Sequence, residues 1–230
     1  MERHFDEELK QLKERLLTMA SHCEKMIHLS VKALEKRDLE PANEVFALER
    51  EVNLLHLEMD DRVMKLFALQ SPVAGDLRAI MAAMKINAEL ERIGDQAVNV
   101  SQNTFQLLKQ PQLKPLIDIP MMAEITEGML RDALDAFVRH DTELARQVCL
   151  RDDKVDALKD QIFRELLTYM ITDSSTIKRC IDLILISRNF ERIGDHATNI
   201  AEDVIFMVKG QDIRHQGGDG APELEGRSWH

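Results

Sequence analysis

The sequence predicts an all-α protein made of two similar three-helix bundles in tandem. Of its 230 residues, 31% are charged and only 4% are aromatic, which is typical of long amphipathic helices and unusual in strand-rich domains. The motif ERIGD occurs twice, in ERIGDQAVN from residue 91 and in ERIGDHATN from residue 191. A wider self-match surrounds both motifs, which indicates that a whole structural unit is repeated.

Two offsets relate the copies. An offset of 103 residues aligns identical residues in the earlier part of each copy, such as Ala33 with Ala136 and Val52 with Val155, whereas an offset of 100 aligns the ERIGD motifs. A deletion of three residues near position 170 reconciles the two offsets. The predicted divisions are a first bundle at 1–110, a linker at 111–120, a second bundle at 121–209 and a disordered tail at 210–230.

The first two helices follow from apolar spacing and proline. Pro41 suits the first turn of the second helix, and Ser71-Pro72 separates it from the third, because proline disfavours helix in the residue before it. In the second copy, Asp173 and the two serines after it are predicted to cap the last helix. The first helix is predicted from one stripe with steps of four and three, namely Phe5, Leu9, Leu12, Leu16, Met19, Cys23 and Met26.

The third helix of each copy carries an apolar heptad through the repeated motif. Between the copies, the segment from Gln110 to Pro120 holds three prolines, so it is predicted as the linker. Beyond about residue 209 the chain is rich in glycine and charge without an apolar period, which predicts disorder. The two seams are Ile86, Leu90, Ile93, Ala97, Val100 and Leu107, and then Ile186, Phe190, Ile193, Ala197, Ile200 and Met207.

Charge and hydropathy narrow the function classes. The net charge of −11 would repel nucleic-acid phosphates and anionic lipid over most of the surface, which argues against direct binding of nucleic acid. No uncharged apolar run approaches the roughly 18 residues that a membrane span needs, and the N-terminal MERHFDEELK is charged where a signal peptide is apolar. We therefore expect a cytoplasmic protein.

Oxygen-bearing side chains form a ladder on the polar side of helices two and three in each copy. Measured around the helix from Glu91, Asp95 falls at about 40° and Asn99 at about 80°, whereas the seam lies near 180°, so the ladder is predicted to face away from its own core. Consecutive antiparallel helices bring the pair on the second helix level with it. The candidate metal ligands are Glu49, Asn53, Glu91, Asp95 and Asn99 in the first copy, and Asp152, Asp156, Glu191, Asp195 and Asn199 in the second.

Solvated surface charge is the competing explanation of these ladders. Three features favour a bound cation: like charges one turn apart repel, the mid-helix Gly94 and Gly194 suit a close approach, and the pattern occurs in both copies. Oxygen donors without clustered thiols or imidazoles suit Mg²⁺, Mn²⁺ or iron better than structural Zn²⁺. Arg92 and Arg192 are counter-evidence, unless they pair with nearby acids. His196 has Gln96 as its counterpart, which argues against a ligand role shared by both copies.

The two ERIGD motifs, the SPVAGDLR segment from Ser71 and KGQDIRH near the end resemble the PhoU family of phosphate-signalling proteins over roughly residues 5–215. The resemblance implies two three-helix bundles, no catalytic activity, metal sites on the acidic ladders and a homodimer. It also implies a regulatory adaptor that links the ATPase of the phosphate ABC transporter to a membrane sensor histidine kinase, touches these membrane complexes only peripherally, and keeps phosphate-starvation genes off when phosphate is plentiful.

Two other functions stay open from the sequence. One is a helical scaffold, with or without metal, that has no signalling role. The other is a carboxylate-bridged metalloenzyme, which is disfavoured because neither copy supplies the inward-facing Glu-x-x-His pairs that such bundles use. Asn53 is neutral where Asp156 is acidic, so the first metal site is predicted to bind more weakly than the second.

Overall fold

The computed structural model describes residues 2–69 and 74–211, and it confirms the all-α architecture with two tandem three-helix bundles. A short 3₁₀-helix at Ser174–Thr176 precedes the last α-helix. The first bundle contains α1 (Glu2–Lys36), α2 (Leu39–Leu69) and α3 (Ala74–Leu107), and the second contains α4 (Asp118–Arg139), α5 (Thr142–Thr172) and α6 (Ile177–Lys209).

The α1 stripe and the two heptad seams form the cores, as predicted. In α1, Leu12, Leu16, Met19, Cys23 and Met26 have no exposed surface, whereas the side chain of Phe5 lies outside the described residues. Every seam residue of α3 and α6 is buried, because the heptad keeps one side of each helix against its own bundle. The apolar residues of both bundles join in one continuous cluster.

The helix ends follow the local sequence signals. Asp141 caps α5 by accepting hydrogen bonds from the backbone N–H groups of Glu143 and Leu144, each at 3.0 Å. Asp173 accepts one from Ser175 at 2.9 Å, so the predicted cap is confirmed, although it begins the 3₁₀ turn before α6. The predicted break at Ser71-Pro72 lies outside the described residues, whereas the part of SPVAGDLR from Ala74 to Arg78 forms the start of α3.

The connection between the bundles is shifted from its predicted position. It runs from 108 to 117, because α4 already begins at Asp118. Pro120 lies in the first turn of α4, where backbone N–H groups have no partner within the helix, so the missing N–H of proline costs no hydrogen bond. Arg37 holds the start of this segment by donating to the backbone oxygen of Leu108 at 3.3 Å. Of the predicted tail at 210–230, only Gly210 and Gln211 are described, and Gly210 closes α6 with φ of 68°.

The bundles pack side by side, with α3 along α6 and α1 along α4. The polar sides of α3 and α6 are therefore partly covered by the opposite bundle. Among the helices that the structure describes, none is both long and apolar enough to span a membrane.

Candidate functional site

The ladder of the second copy forms an acidic cluster between α5 and α6. Asp152 lies against α6 where Gly194 has no side chain; a Cβ built on Gly194 would come within 3.2 Å of the Asp152 Oδ1 atom. The mid-helix glycine thus admits a carboxylate of the neighbouring helix. This is the close approach that the sequence predicted, although the group that approaches belongs to the chain itself.

Electrostatics in this cluster disfavours ionisation. Burial, followed by the negative charges of Asp195, Asp156, Asp153 and Glu191, raises the pKa of Asp152 to about 6. Burial also raises the pKa of Asp195, and the charges of Glu191 and Asp156 add to the effect. The cluster therefore holds more negative charge than its surroundings neutralise. A bound cation would reduce the repulsion among these carboxylates.

One cation of the chain, Lys159, already reaches the cluster, and the sequence pattern did not reveal it. The Lys159 ammonium donates to Asp156 at 2.9 Å and to Glu191 at 3.1 Å, which bridges α5 and α6. These hydrogen bonds raise the pKa of Lys159, with the bond to Asp156 as the largest contribution, although burial opposes it. Its position three residues after Asp156, one helical turn away, was the available signal.

The ladder of the first copy is arranged differently. Glu91, Asp95 and Glu49 are half-buried, whereas Asn53 is exposed. A Cβ built on Gly94 would meet Val52 at 3.4 Å and Met26 at 3.6 Å, so an apolar contact replaces the carboxylate that lies against the other glycine.

The first ladder also lacks a counterpart of the lysine bridge. His56 stands where the second copy has Lys159, at the offset of 103 residues. Its Nε2 atom lies 3.6 Å from Asp60 Oδ2, on its own helix, and so it points to a residue outside the ladder. The two acidic ladders therefore differ in both charge and counter-charge.

The asparagine of each ladder does not share one outer face with the acids, contrary to the prediction. Asn199 of α6 donates to Glu89 of α3 at 3.2 Å, and Asn99 lines a cleft between the same helices. Both point away from their own cores, as the helical wheel indicated. Neither meets solvent freely, because the opposite bundle covers this side.

Glu89 and His196 form a polar contact between the bundles that the sequence did not reveal. His196 Nδ1 lies 2.7 Å from Glu89 Oε2, and Arg92 donates to the same carboxylate at 3.0 Å. Arg92 therefore pairs with a nearby acid, which is the condition under which Arg92 does not count against a metal site. The unequal pair His196 and Gln96 was the available signal, since it marks a contact that only one copy makes.

As a metal centre, the acidic ladders have suitable donor chemistry but side chains that do not converge. Within residues 2–69 and 74–211, no group of three or more His, Cys, Asp or Glu side chains is arranged closely enough to hold a metal ion. In the second copy, the mutual repulsion around Asp152 fits a hard cation held by Asp152, Asp156, Glu191 and Asp195. Binding there requires Lys159 to move aside, so the ligand set stays a prediction.

Both copies of the repeat match known proteins. The family model for the PhoU domain matches residues 16–104 and 119–204. The phosphate-specific transport system accessory protein PhoU homolog of Aquifex aeolicus (strain VF5) is 40% identical over 209 residues, covering 91% of this chain and 95% of its own. The phosphate-specific transport system accessory protein PhoU of Escherichia coli (strain K12) is 35% identical over 220 residues, covering 96% and 91%.

Solved structures agree with these matches. The crystal structure of PhoU from Pseudomonas aeruginosa superposes with a TM-score of 0.88 at 36% identity, covering 90% of this chain and 100% of its own. The phosphate transport system regulatory protein PhoU from Streptococcus pneumoniae has the same fold, with a TM-score of 0.84 at 24% identity, over 91% and 99%. The chain therefore belongs to the PhoU domain family.

Proposed function

We propose that this chain is a cytoplasmic regulatory adaptor of phosphate homeostasis, without catalytic activity of its own. In this proposal it links the ATPase of the phosphate ABC transporter to a sensor histidine kinase, modulates phosphate uptake and keeps the phosphate regulon off when phosphate is plentiful. The observation that carries the proposal is that relatives named as accessory proteins of the phosphate-specific transport system match 91% to 96% of the chain. A role in phosphate transport is the broader part of this proposal.

An exposed apolar stripe on α2 supports a function through protein contacts. Leu54, Leu57 and Met64 expose 68%, 65% and 69% of their surface, and their spacing of three and seven places them on one side of the helix. Single exposed apolar residues are ordinary, but a row of three on one helix favours a partner surface.

A pull-down from cells grown at high and at low phosphate tests the adaptor role. We expect the tagged chain to recover the transporter ATPase and the sensor kinase, with recovery that changes with phosphate. Leu57→Glu should weaken recovery of at least one of them, because it places a charge within the α2 stripe. Leu150→Glu is the matched control, since Leu150 is 74% exposed on α5. Recovery of neither protein by the unmodified chain would contradict the adaptor role.

Metal binding by the acidic ladders is part of the same proposal. The ion is divalent or iron-type, among Mg²⁺, Mn²⁺, Fe and Zn²⁺, and the hard oxygen donors favour the first two or iron. We also propose a homodimer that touches membrane complexes only peripherally and binds no nucleic acid directly. Metal analysis of protein purified without chelator, before and after Asp95→Ala and Asp195→Ala, tests the ladders. A metal content near zero in all three proteins would favour a scaffold without metal.

A further inference from the structure

A cleft between α3 and α6 collects positive and amide groups, of which only Asn99 belongs to an acidic ladder. Its volume is about 200 Å³, whereas roughly 10–15 Å³ on the same measure is enough to hold one water molecule. The residues that line it are Asn99, Asn103, Leu185, Arg188, Asn189 and Arg192.

The repeat provides an internal comparison for this cleft. On the opposite side of the α3–α6 contact, the matching positions are filled by charged pairs. Glu89 accepts from Arg92 at 3.0 Å and from Asn199 at 3.2 Å, and the Lys85 ammonium lies 2.9 Å from Asp203 Oδ1. At the offset of 100 residues, the counterparts of the cleft residues are, in the same order, Asn199, Asp203, Lys85, Ala88, Glu89 and Arg92.

On the cleft side, both carboxylates are missing from the pattern. Asn189 and Asn103 stand in their places, so two acceptors with full negative charge become neutral amides. Arg192 keeps the position of the paired arginine, and Arg188 stands where the other side has an alanine. Leu185 stands where the other side has Lys85, so both sides carry two cations. The cleft differs because it lacks the two carboxylates that neutralise the cations on the other side.

Among the described residues that line the cleft, none carries a carboxylate that could pair with Arg188 or Arg192. The nearest acids along α6 are Glu191 and Asp195, and both belong to the cluster with α5. Glu191 accepts from Lys159 at 3.1 Å, and Asp195 lies among the α5 carboxylates. Arg188 and Arg192 thus form a local positive region on a chain whose net charge is −11.

The amides add further donors to the cleft. The Asn189 amide donates one N–H to the backbone oxygen of Leu185 at 2.8 Å, and the Asn103 amide donates one to that of Asn99 at 2.8 Å. Each amide nitrogen keeps a second N–H. A guanidinium carries five donors and accepts nothing, and its planar fork matches the paired oxygens of an oxyanion.

We infer that this cleft binds a small oxyanion of the phosphate class, held by Arg188 and Arg192 and oriented by the surrounding asparagine amides. The shared chemistry is a phosphate group, either as the free ion or as a lipid headgroup. Asn99 is the one lining residue that also belongs to an acidic ladder, and none of the ladder carboxylates lines the cleft. The site is distinct from any adaptor role, because the purified chain alone should bind the ligand.

Equilibrium dialysis with labelled inorganic phosphate tests the inference, at fixed ionic strength and with a chelator present to remove metal. We expect saturable binding of one phosphate per chain. Arg188→Ala and Asn189→Glu should each weaken it about tenfold or more, because a charged hydrogen-bond partner is lost or neutralised. Both variants install the residue that the first copy carries at the matching position, so the fold should accept them, and circular dichroism melting checks this. Arg92→Gln is the matched control and should leave binding unchanged.

A second experiment separates the two sources of phosphate. Vesicles of phosphatidylglycerol are compared with vesicles of phosphatidylcholine by sedimentation, again with Arg188→Ala and Arg92→Gln. Binding of inorganic phosphate alone assigns a free-ion site, whereas binding of phosphatidylglycerol vesicles that needs Arg188 assigns a headgroup site. Absence of both, or equal loss with Arg92→Gln, overturns the inference. Such a result would leave the adaptor proposal untouched, because the pull-down measures that separately.

Discussion

The imidazole of His196 and the carboxylate of Glu89 join the two bundles, with Nδ1 of His196 2.7 Å from Oε2 of Glu89. Both side chains are largely buried, at 16% and 12% exposure. A carboxylate only accepts, so the Nδ1 atom must carry the hydrogen. The contact has no equivalent on the other side of the repeat, where Gln96 and Asn189 occupy these positions.

Glu89→Gln should destabilise the protein at neutral pH and much less in acid. Burial is the largest influence on Glu89 and raises its pKa, but the hydrogen bonds from His196 and Asn199 and the charges of His196 and Arg92 outweigh it, and the pKa is lowered. A lowered pKa stabilises the folded state above the unfolded pKa of about 4.3, and this contribution is lost as the pH falls through the folded value. Urea unfolding from pH 7 to pH 3 measures the difference.

A double-mutant cycle assigns this effect to the contact between the bundles. His196→Gln, Glu89→Gln and the double variant should show a coupling free energy of about 0.5–3 kcal/mol at pH 7. Gln96 shows that the repeat accepts glutamine at the matching position. Strictly additive effects would mean that the two side chains stabilise the fold independently.

Asp152→Asn should stabilise the metal-free protein at pH 7.5. Since the pKa of Asp152 is raised to about 6, the stability that its protonated form contributes is complete below the unfolded value of about 3.9 and is lost as the pH rises through about 6. The full shift would correspond to about 3 kcal/mol, but the carboxyl is half-exposed, so screening reduces the expected gain to about 1 kcal/mol.

Thermal unfolding at pH 5 and pH 7.5, in the presence of chelator, measures this gain. Asp153→Asn is the matched control, because Asp153 is an exposed neighbour on the same helix and should change stability less. A gain at pH 5 as large as that at pH 7.5 would show that ionisation of Asp152 is not the cause.

Lys159→Met should tighten Mn²⁺ binding in the second copy. The Lys159 ammonium contacts Asp156 and Glu191, so a metal held by these carboxylates must displace it. Removing this half-exposed contact should increase affinity several-fold, corresponding to about 1 kcal/mol. Mn²⁺ titration calorimetry measures the change, with Lys154→Met as the control, since Lys154 is exposed on the same helix. Unchanged affinity in Lys159→Met would exclude competition by the lysine.

The two ladders should differ in affinity for Mn²⁺. Asn53 leaves the first ladder one charge short of the second, where Asp156 stands, so the first should bind more weakly. Lys159 opposes this difference, and Lys159→Met should therefore widen it. Titrations of Asp95→Ala, which keeps the second ladder, and of Asp195→Ala, which keeps the first, compare the sites. Equal Mn²⁺ affinities of the two variants would contradict the prediction that the first ladder binds more weakly.

Helical periodicity was sufficient to predict the fold. It also predicted which side of each helix packs into the core of its own bundle. The heptads that bury Ile93 and Ile193 are local patterns. They can be read from the sequence because residues three and four positions apart lie on the same side of a helix. The packing of α3 along α6 is a contact between residues about 100 positions apart, which no periodicity encodes. For this reason Asn199 was predicted on an outer face, although it bonds Glu89 of the other bundle.

The candidate site was predictable only in its residue types. The wheel identified the acids that share a side, but it did not show that Lys159 reaches between Asp156 and Glu191, because a long flexible side chain has many rotamers. Differences between the copies were the better signal. Each unequal pair at the α3–α6 contact, such as Glu89 with Asn189, marks a place where the two sides carry different charge.

Gly94→Ala and Gly194→Ala should have different effects, although both glycines lie in the middle of a helix. Alanine favours a helix interior by about 1 kcal/mol over glycine. At Gly94 the new Cβ would lie 3.4 Å from Val52 and 3.6 Å from a flexible methionine, so most of this gain should appear as stability. At Gly194 the Cβ would lie 3.2 Å from Asp152 Oδ1, and the carboxylate must move, which offsets the gain.

Gly194→Ala should also weaken Mn²⁺ binding by the second ladder, whereas Gly94→Ala should leave that ladder unchanged. Urea unfolding and Mn²⁺ titration of both variants test this, and equal behaviour of the two would contradict the role of Gly194 in seating Asp152.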